Sequence, residues 1–280
     1  MSQGGTLVLI HGLWMTPLSW EHWVDRYAAA GLRVLAPAWP GTDLPVERFR
    51  RDPSGVAGVG VAEIADHYER IIRALRRPPV IIGHSFGGAV TQILLGRGLG
   101  AAGVAIDCAP VKGVLRLPLS TLRVGYVALR NPANRRRPVS LTAAQFHYAF
   151  TNTLTRTQSD AVYQRYCVPG PGRTVFQATF ANFAPHAATT VNFRNNERAP
   201  LLLIAGGKDH FAPAAVTRSN FKCYRHSRAV TDFVEYPDRS HYTLGQDGWE
   251  AVADYALNWA TRQIAAHRRM NSFYLGVSCY

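Results

Sequence analysis

The stretch Val80-Ile81-Ile82-Gly83-His84-Ser85-Phe86-Gly87-Gly88-Ala89-Val90-Thr91-Gln92-Ile93-Leu94-Leu95 passes from an apolar β-branched triplet, through a Gly-x-Ser-x-Gly turn, into a helix-compatible run. That order predicts a sharp strand-to-helix turn that lifts the Ser85 hydroxyl above a sheet edge. Glycines at 83 and 87 suit such a turn, because a Cβ there would strike the neighbouring backbone. Gly-x-Ser-x-Gly arises by chance about 0.1 times in a chain of this composition, so the flanking strand and helix carry the reading.

The same alternation extends to both sides. Short apolar runs bounded by Gly or Pro occur at 6–10, 33–36, 79–83, 103–107, 201–205 and 230–236. Between the first four lie stretches of helical periodicity, Trp20–Ala30 and Val61–Leu75. In the second, Val61, Ile64, Ala65, Tyr68, Ile71, Ile72 and Leu75 recur at three- and four-residue steps and define one apolar face. Continuous apolar strands alternating with amphipathic helices predict an α/β fold with a mostly parallel, doubly wound sheet.

After Pro110 the alternation stops. From about Val111 to Arg198 no convincing strand is found. Helical, Arg-rich and aromatic segments run over 141–150, 158–167 and 174–183, separated by turns such as Val168-Pro169-Gly170-Pro171-Gly172. Residues 111–198 are therefore expected to form a helical cap inserted into a core of 1–110 and 199–280. A long helix is expected over about 248–269, followed by an apolar tail, 270–280.

A serine hydroxyl is a weak nucleophile at neutral pH and needs a base, which needs an orienting acid. Of ten histidines, His241 follows the last expected strand in Pro237-Asp238-Arg239-Ser240-His241-Tyr242. Loops leaving the carboxyl ends of parallel strands are where such sheets hold their chemistry. For the acid, Asp209 follows the strand at 201–205 in Gly206-Gly207-Lys208-Asp209-His210, and Asp107 ends the strand before it. Asp209 is preferred and Asp107 remains the alternative acid. The turn His11-Gly12-Leu13-Trp14 follows the first strand, so the Leu13 N–H is a candidate oxyanion donor. The Phe86 N–H, at the start of the helix after Ser85, is the second.

The ordered set HGLW, GHSFGG, GGKDH and RSHYTL resembles the α/β-hydrolase superfamily, in its esterase- and lipase-like branch with a helical cap before the acid-bearing strand. The likeness spans nearly the whole chain. It implies an acyl-enzyme mechanism in which Ser85 attacks, Leu13 and Phe86 hold the oxyanion, and His241 shuttles the proton. Ser85 sets the chain apart from haloalkane dehalogenases and epoxide hydrolases, which resemble this fold but use an aspartate nucleophile. Many relatives carry a hairpin before the HG strand; here five residues precede Thr6, so a sheet of about six strands without that hairpin is expected. Trp14, His84 and cap aromatics such as Phe146 and Phe180 are the expected walls of an apolar substrate pocket.

The expected activity is hydrolysis of small or medium apolar carboxylic esters, with neither metal nor organic cofactor. Lactonase, thioesterase, carbon–carbon bond hydrolase and perhydrolase activities share the same fold. From a different class comes a small-molecule signal receptor that retains a slow triad. The chain carries 31 basic and 18 acidic residues, a formal charge of +13, and all but three of the basic residues are arginine. These residues read as scattered apart from Arg135-Arg136-Arg137, and no nucleic-acid-binding module is visible, so no specific nucleic-acid partner is expected. The four cysteines, at 108, 167, 223 and 279, form no close-spaced metal pair. With neither a signal-peptide pattern nor an apolar run long enough to span a membrane, a cytoplasmic chain with free thiols is expected.

Overall fold

The computed structural model describes residues 5–276. Its chain order begins β1 (Thr6–Ile10), α1 (Glu21–Ala29), β2 (Arg33–Leu35), α2 (Val46–Arg51), α3 (Val61–Arg73), β3 (Val80–His84), α4 (Phe86–Gly96) and β4 (Ala102–Ile106). There follow α5 (Leu119–Leu129), β5 (Pro138–Val139), α6 (Ala143–Ala149), α7 (Arg156–Tyr166), β6 (Gly170–Pro171) and α8 (Gly172–Thr179). The chain then runs through β7 (Leu201–Gly206), α9 (Ala214–Cys223), β8 (Thr231–Tyr236) and α10 (Trp249–Gly276).

Six strands form one parallel sheet in the order β2-β1-β3-β4-β7-β8, matching the expected count. Side chains alternate across each strand, so the two faces build separate cores. Leu7, Leu9, Val80, Ile82, Val104, Ile106 and Ile204 pack on one side against Trp20, Trp23 and Tyr27 near α1 and against Val252, Ala256 and Trp259 of α10. On the other side Val8, Ile10, Ile81, Ala105 and Leu203 meet residues of α3, α4 and α9, such as Tyr68, Ile93 and Val216. A strand buried on both faces must be apolar throughout, which explains why β1, β3, β4 and β7 lack polar alternation.

The path turns back at β1: β2 lies on one side of it and β3 on the other, and the chain then proceeds outward through β4, β7 and β8. Such a reversal opens a crevice at the carboxyl ends of the central strands. The register sets His84 beside Ile106 and Ile106 beside Ile204. Ser85, Asp107 and the loops after Gly206 and Tyr236 therefore share one edge of the sheet.

Between β4 and β7 lies the helical insertion, with two differences from the sequence expectation. Pro138–Val139 pairs antiparallel with Gly170–Pro171, a two-residue ladder too short to show as a strand pattern. Leu119–Leu129 is a helix, although it contains a glycine and β-branched residues and begins after Pro118 with no side-chain cap. Arg50 ties the insertion to the core, donating to the carbonyls of Tyr163, Gln164 and Cys167 at 2.8–2.9 Å. Arg165 and Tyr166 both hydrogen-bond Glu21. Cys108, Cys167 and Cys223 are free thiols, and Cys279 lies outside the described residues. The final helix continues through 270–276, part of the expected tail; 277–280 lie outside the described residues.

Candidate active site

Ser85 joins β3 to α4 with φ +56° and ψ −120°, a conformation that costs a non-glycine residue about 1–3 kcal/mol. The surroundings over-determine it. Its N–H donates to the Ile106 carbonyl at 2.9 Å, and its carbonyl accepts from Gly88 and Ala109 at 3.0 Å each. A Cβ on Gly83 would lie 2.1 Å from the Gly87 carbonyl oxygen, so the turn closes only with glycine there. One on Gly12 would lie 2.8 Å from the Ser85 Cβ, which shows how closely the turn carrying Leu13 abuts the serine. The Ser85 hydroxyl is fully buried and makes no hydrogen bond within the protein.

His241, in the loop between β8 and α10, has its Nδ1 2.6 Å from Oδ2 of Asp209, which leads out of β7. The other carboxylate oxygen of Asp209 accepts from the backbone N–H groups of Phe211 (2.6 Å) and Ala212 (2.8 Å). These donors aim the carboxylate and leave the Nδ1–H of His241 as its remaining partner. The Nε2 of His241 is buried with no hydrogen bond. Burial pushes the imidazole down to about 3 and the Asp209 carboxyl up to about 8, the latter against its two backbone donors. Either shift favours a pair that carries little net charge.

Behind this pair lies a second buried polar layer. His84 Nε2 is 2.8 Å from the His241 carbonyl oxygen, and the two rings are 4.7 Å apart. Asp107, held at φ +46°, accepts from the Gly206 N–H at 2.6 Å through Oδ1, while its Oδ2 has no partner. Burial, and next the charge of Asp209, raise the Asp107 carboxyl well above its ordinary value. A ring nitrogen of His84, one of His241 and a carboxylate oxygen of Asp107 all lie within 4.8 Å of one another. His84 is thus a support beneath His241 and does not line the cavity described next.

A narrow apolar cavity, open at its mouth, reaches Ser85. Of its fourteen lining residues only Ser85, Thr121 and Thr179 carry polar side chains. The Thr121 hydroxyl is buried and unpartnered. The insertion supplies one wall through Leu122, Gly125 and Leu129 of α5 and Val175 and Ala178 of α8; Phe86, Phe211 and Pro110 supply the other.

The aromatic walls expected from sequence lie elsewhere. Phe146 is fully buried, stacked on Phe150 at 4.8 Å, and Phe180 is 45% exposed on the outer surface against Phe176. Trp14, at φ +65°, acts as a clasp: its Nε1 donates to the Val139 carbonyl at 2.9 Å, and its own carbonyl accepts from the Val168 N–H. Its ring lies 5.5 Å from Phe211, which packs with Phe150 around His241 at 4.9 and 4.8 Å. Sequence reasoning missed Phe211 as a wall residue, although it stands two positions after Asp209. It missed the whole of α5 as well.

The sequence model of the alpha/beta hydrolase family matches residues 7–255. No curated protein matches the chain in sequence. Among solved structures, a methylesterase from Arabidopsis superposes with TM-score 0.66 at 12% identity, over 92% of this chain and 99% of that one. An extracellular α/β-hydrolase from a Paenibacillus species gives 0.64 at 18%, over 91% and 98%. A monoacylglycerol lipase from Paleococcus ferrophilus gives 0.62 at 20%, over 92% and 95%. At these identities the likeness is one of fold.

Proposed function

Because the chain belongs to the α/β-hydrolase family, we propose that it is a serine hydrolase cleaving small or medium apolar carboxylic esters through an acyl-enzyme. The observation that carries this reading is the buried His241–Asp209 hydrogen bond at the sheet edge that also presents a strained, unpartnered Ser85 hydroxyl. Asp209 fixes the tautomer of His241 with the proton on Nδ1, so Nε2 is free to take the Ser85 proton.

The Ser85 oxygen then attacks the ester carbonyl carbon. The N–H groups of Leu13 and Phe86 receive the negative charge that develops on the carbonyl oxygen. His241 passes its proton to the departing alcohol. Water, deprotonated by the same nitrogen, attacks the acyl-enzyme and releases the acid with Ser85 restored. The cavity beside Ser85, with apolar walls and one unpaired Thr121 hydroxyl, suits an apolar acyl chain. No step needs a metal or an organic cofactor. The esterase and lipase names among the structural neighbours are consistent with this chemistry.

Labelling with a fluorophosphonate probe, followed by peptide mapping, tests the assignment. The label is expected on Ser85, and Ser85→Ala should lose about 10⁵- to 10⁶-fold in kcat on p-nitrophenyl butyrate. Its melting temperature should not fall, since the hydroxyl makes no internal hydrogen bond. Labelling at another residue, or more than a few per cent of residual turnover, would overturn the nucleophile.

A further inference from the structure

We propose that the outer face of α5, together with the segments just before it and after α8, docks on an anionic lipid surface with the mouth of the Ser85 cavity turned toward it. The first observation is apolar exposure. Leu115, Leu119 and Phe183 are 78%, 85% and 84% exposed, and Tyr126, Leu122 and Phe180 are also exposed. Six of the ten large apolar side chains exposed among the described residues thus belong to two short segments. Single exposed apolar residues are ordinary, but a contiguous group marks an interaction surface.

The fold brings these segments together. Asn182 accepts from the Gly113 N–H at 2.7 Å and donates to the Val114 carbonyl at 2.9 Å. Lys112 donates to the carbonyls of Ala184 and Pro185. Leu115 and Phe183 are each next to a clamped residue, and α5 packs on α8. Along α5, residues 119, 122, 123, 126 and 130 recur at helical spacing and are exposed, while 121, 124, 125, 127 and 128 are buried. Leu122 belongs to both the cavity wall and the exposed face, so the face forms part of the rim.

Charge identifies the occupant. Between Asp107 and Asp160 the chain has eight basic residues and no acidic one, and residues 111–198 as a whole hold twelve basic against two acidic. The net positive charge is therefore concentrated in the insertion, because acidic residues are nearly absent from it. Arg116, Arg123 and Arg130 are exposed among the apolar residues named above. Leucines and aromatics that enter the acyl boundary, with arginines at headgroup level, are the composition of a peripheral docking face. No helix among the described residues is long and apolar enough to cross a membrane, so the contact is with the surface.

Docking is independent of the chemistry at Ser85, and sedimentation with vesicles reads it without turnover. The full chain should bind vesicles of phosphatidylcholine mixed with phosphatidylglycerol, and bind phosphatidylcholine alone far less. Binding should weaken as salt is raised. Replacing Arg116, Arg123 and Arg130 together by Gln should weaken it about 100-fold, at about fivefold per arginine. Leu115→Ser, Leu119→Ser and Phe183→Ser combined should weaken it at least about tenfold. Both variants should keep the wild-type melting temperature and turnover of soluble p-nitrophenyl acetate. Equal binding to both vesicle types, or unaltered binding by either variant, would overturn the proposal. So would a dimer that the apolar variant converts to monomer, because the face would then belong to a second copy.

Discussion

Nδ1 of His241 lies 2.6 Å from Oδ2 of Asp209, and neither side chain has any solvent exposure. A short, buried hydrogen bond holds the imidazole in one orientation, and its far nitrogen has no hydrogen-bond partner. Asp107 approaches the same imidazole from the adjacent strand end, yet its own hydrogen bond goes to the Gly206 N–H. On the proposed mechanism, Asp209→Asn should lower kcat about 10⁴-fold, since the amide presents the wrong partner to Nδ1. Asp107→Asn should cost less than about tenfold, because the hydrogen bond of Asp107 goes to the Gly206 N–H, which an amide oxygen can also accept, while the imidazole is held by Asp209. Steady-state kinetics of the two variants decide the matter, and a reversed ranking would transfer the acid to Asp107.

Acid sensitivity should trace in part to His11. Its Nδ1 hydrogen-bonds the Gly12 carbonyl, and its Nε2 accepts the Trp39 N–H at 3.2 Å, an arrangement possible only for the neutral ring. Burial lowers its pKa from 6.5 to about 4. Between those values the unfolded chain binds a proton that the folded chain does not. Stability therefore rises with pH across this window and is lost as pH falls through it, by about 3 kcal/mol from this one group. Urea unfolding at pH 7 and pH 4.5 should show a smaller acid loss for His11→Gln than for wild type. The raised carboxyls of Asp107 and Asp209 act in the opposite direction, but they are common to both proteins. Equal losses would mean that His11 titrates normally in the fold.

The aromatic residues of the insertion divide by burial. Phe146 has no exposure and touches both Phe150 and Tyr163, whereas Phe180 is turned outward. Phe146→Ala should therefore destabilise the protein by about 3–5 kcal/mol, and Phe180→Ala by less than about 0.5 kcal/mol. Neither should change the preferred acyl length, because neither lines the cavity. Chain-length profiles measured beside unfolding free energies check both statements, and a shifted profile for either variant would place that ring in the substrate path.

The uneven legibility of the sequence has a physical basis. β1, β3, β4 and β7 are buried on both faces, so each is a continuous apolar run that stands out against its Gly- and Pro-bearing boundaries. The positions of Ser85, Asp107 and Asp209 are readable for the same reason, since each follows or ends such a run, whereas His241 follows β8, a half-buried strand that carries Asp232 and Glu235. The cavity walls were not. One of them comes largely from α5, whose buried side at Thr121, Val124, Gly125 and Ala128 is too small and too mixed to give an amphipathic signal. Aromatic residues in the insertion drew attention by size, yet size is what seats Phe146 in the insertion's own core. The charge of the insertion was hidden by spacing, because arginines seven residues apart at 116, 123 and 130 look dispersed until a helix brings two of them onto one face.

Gly125 offers the most direct test of what occupies the cavity. It sits inside α5, lines the cavity, and a Cβ built there would meet only Leu129 at 3.7 Å and Val175 at 3.9 Å, ordinary contact distances. Gly125→Ala should thus stabilise the protein by about 0.5–1 kcal/mol, the usual difference between these residues in a helix interior. The same methyl projects toward the cavity wall and narrows it. Relative turnover should shift from hexanoate toward acetate esters, and Gly125→Leu should carry that shift further at some loss of the added stability. Varying the alcohol instead of the acid separates the two halves of the substrate. If bulky alcohols were penalised while acyl preference stayed fixed, the cavity would be the alcohol site. A rise in melting temperature with no change in either profile would mean that substrate reaches Ser85 by another route.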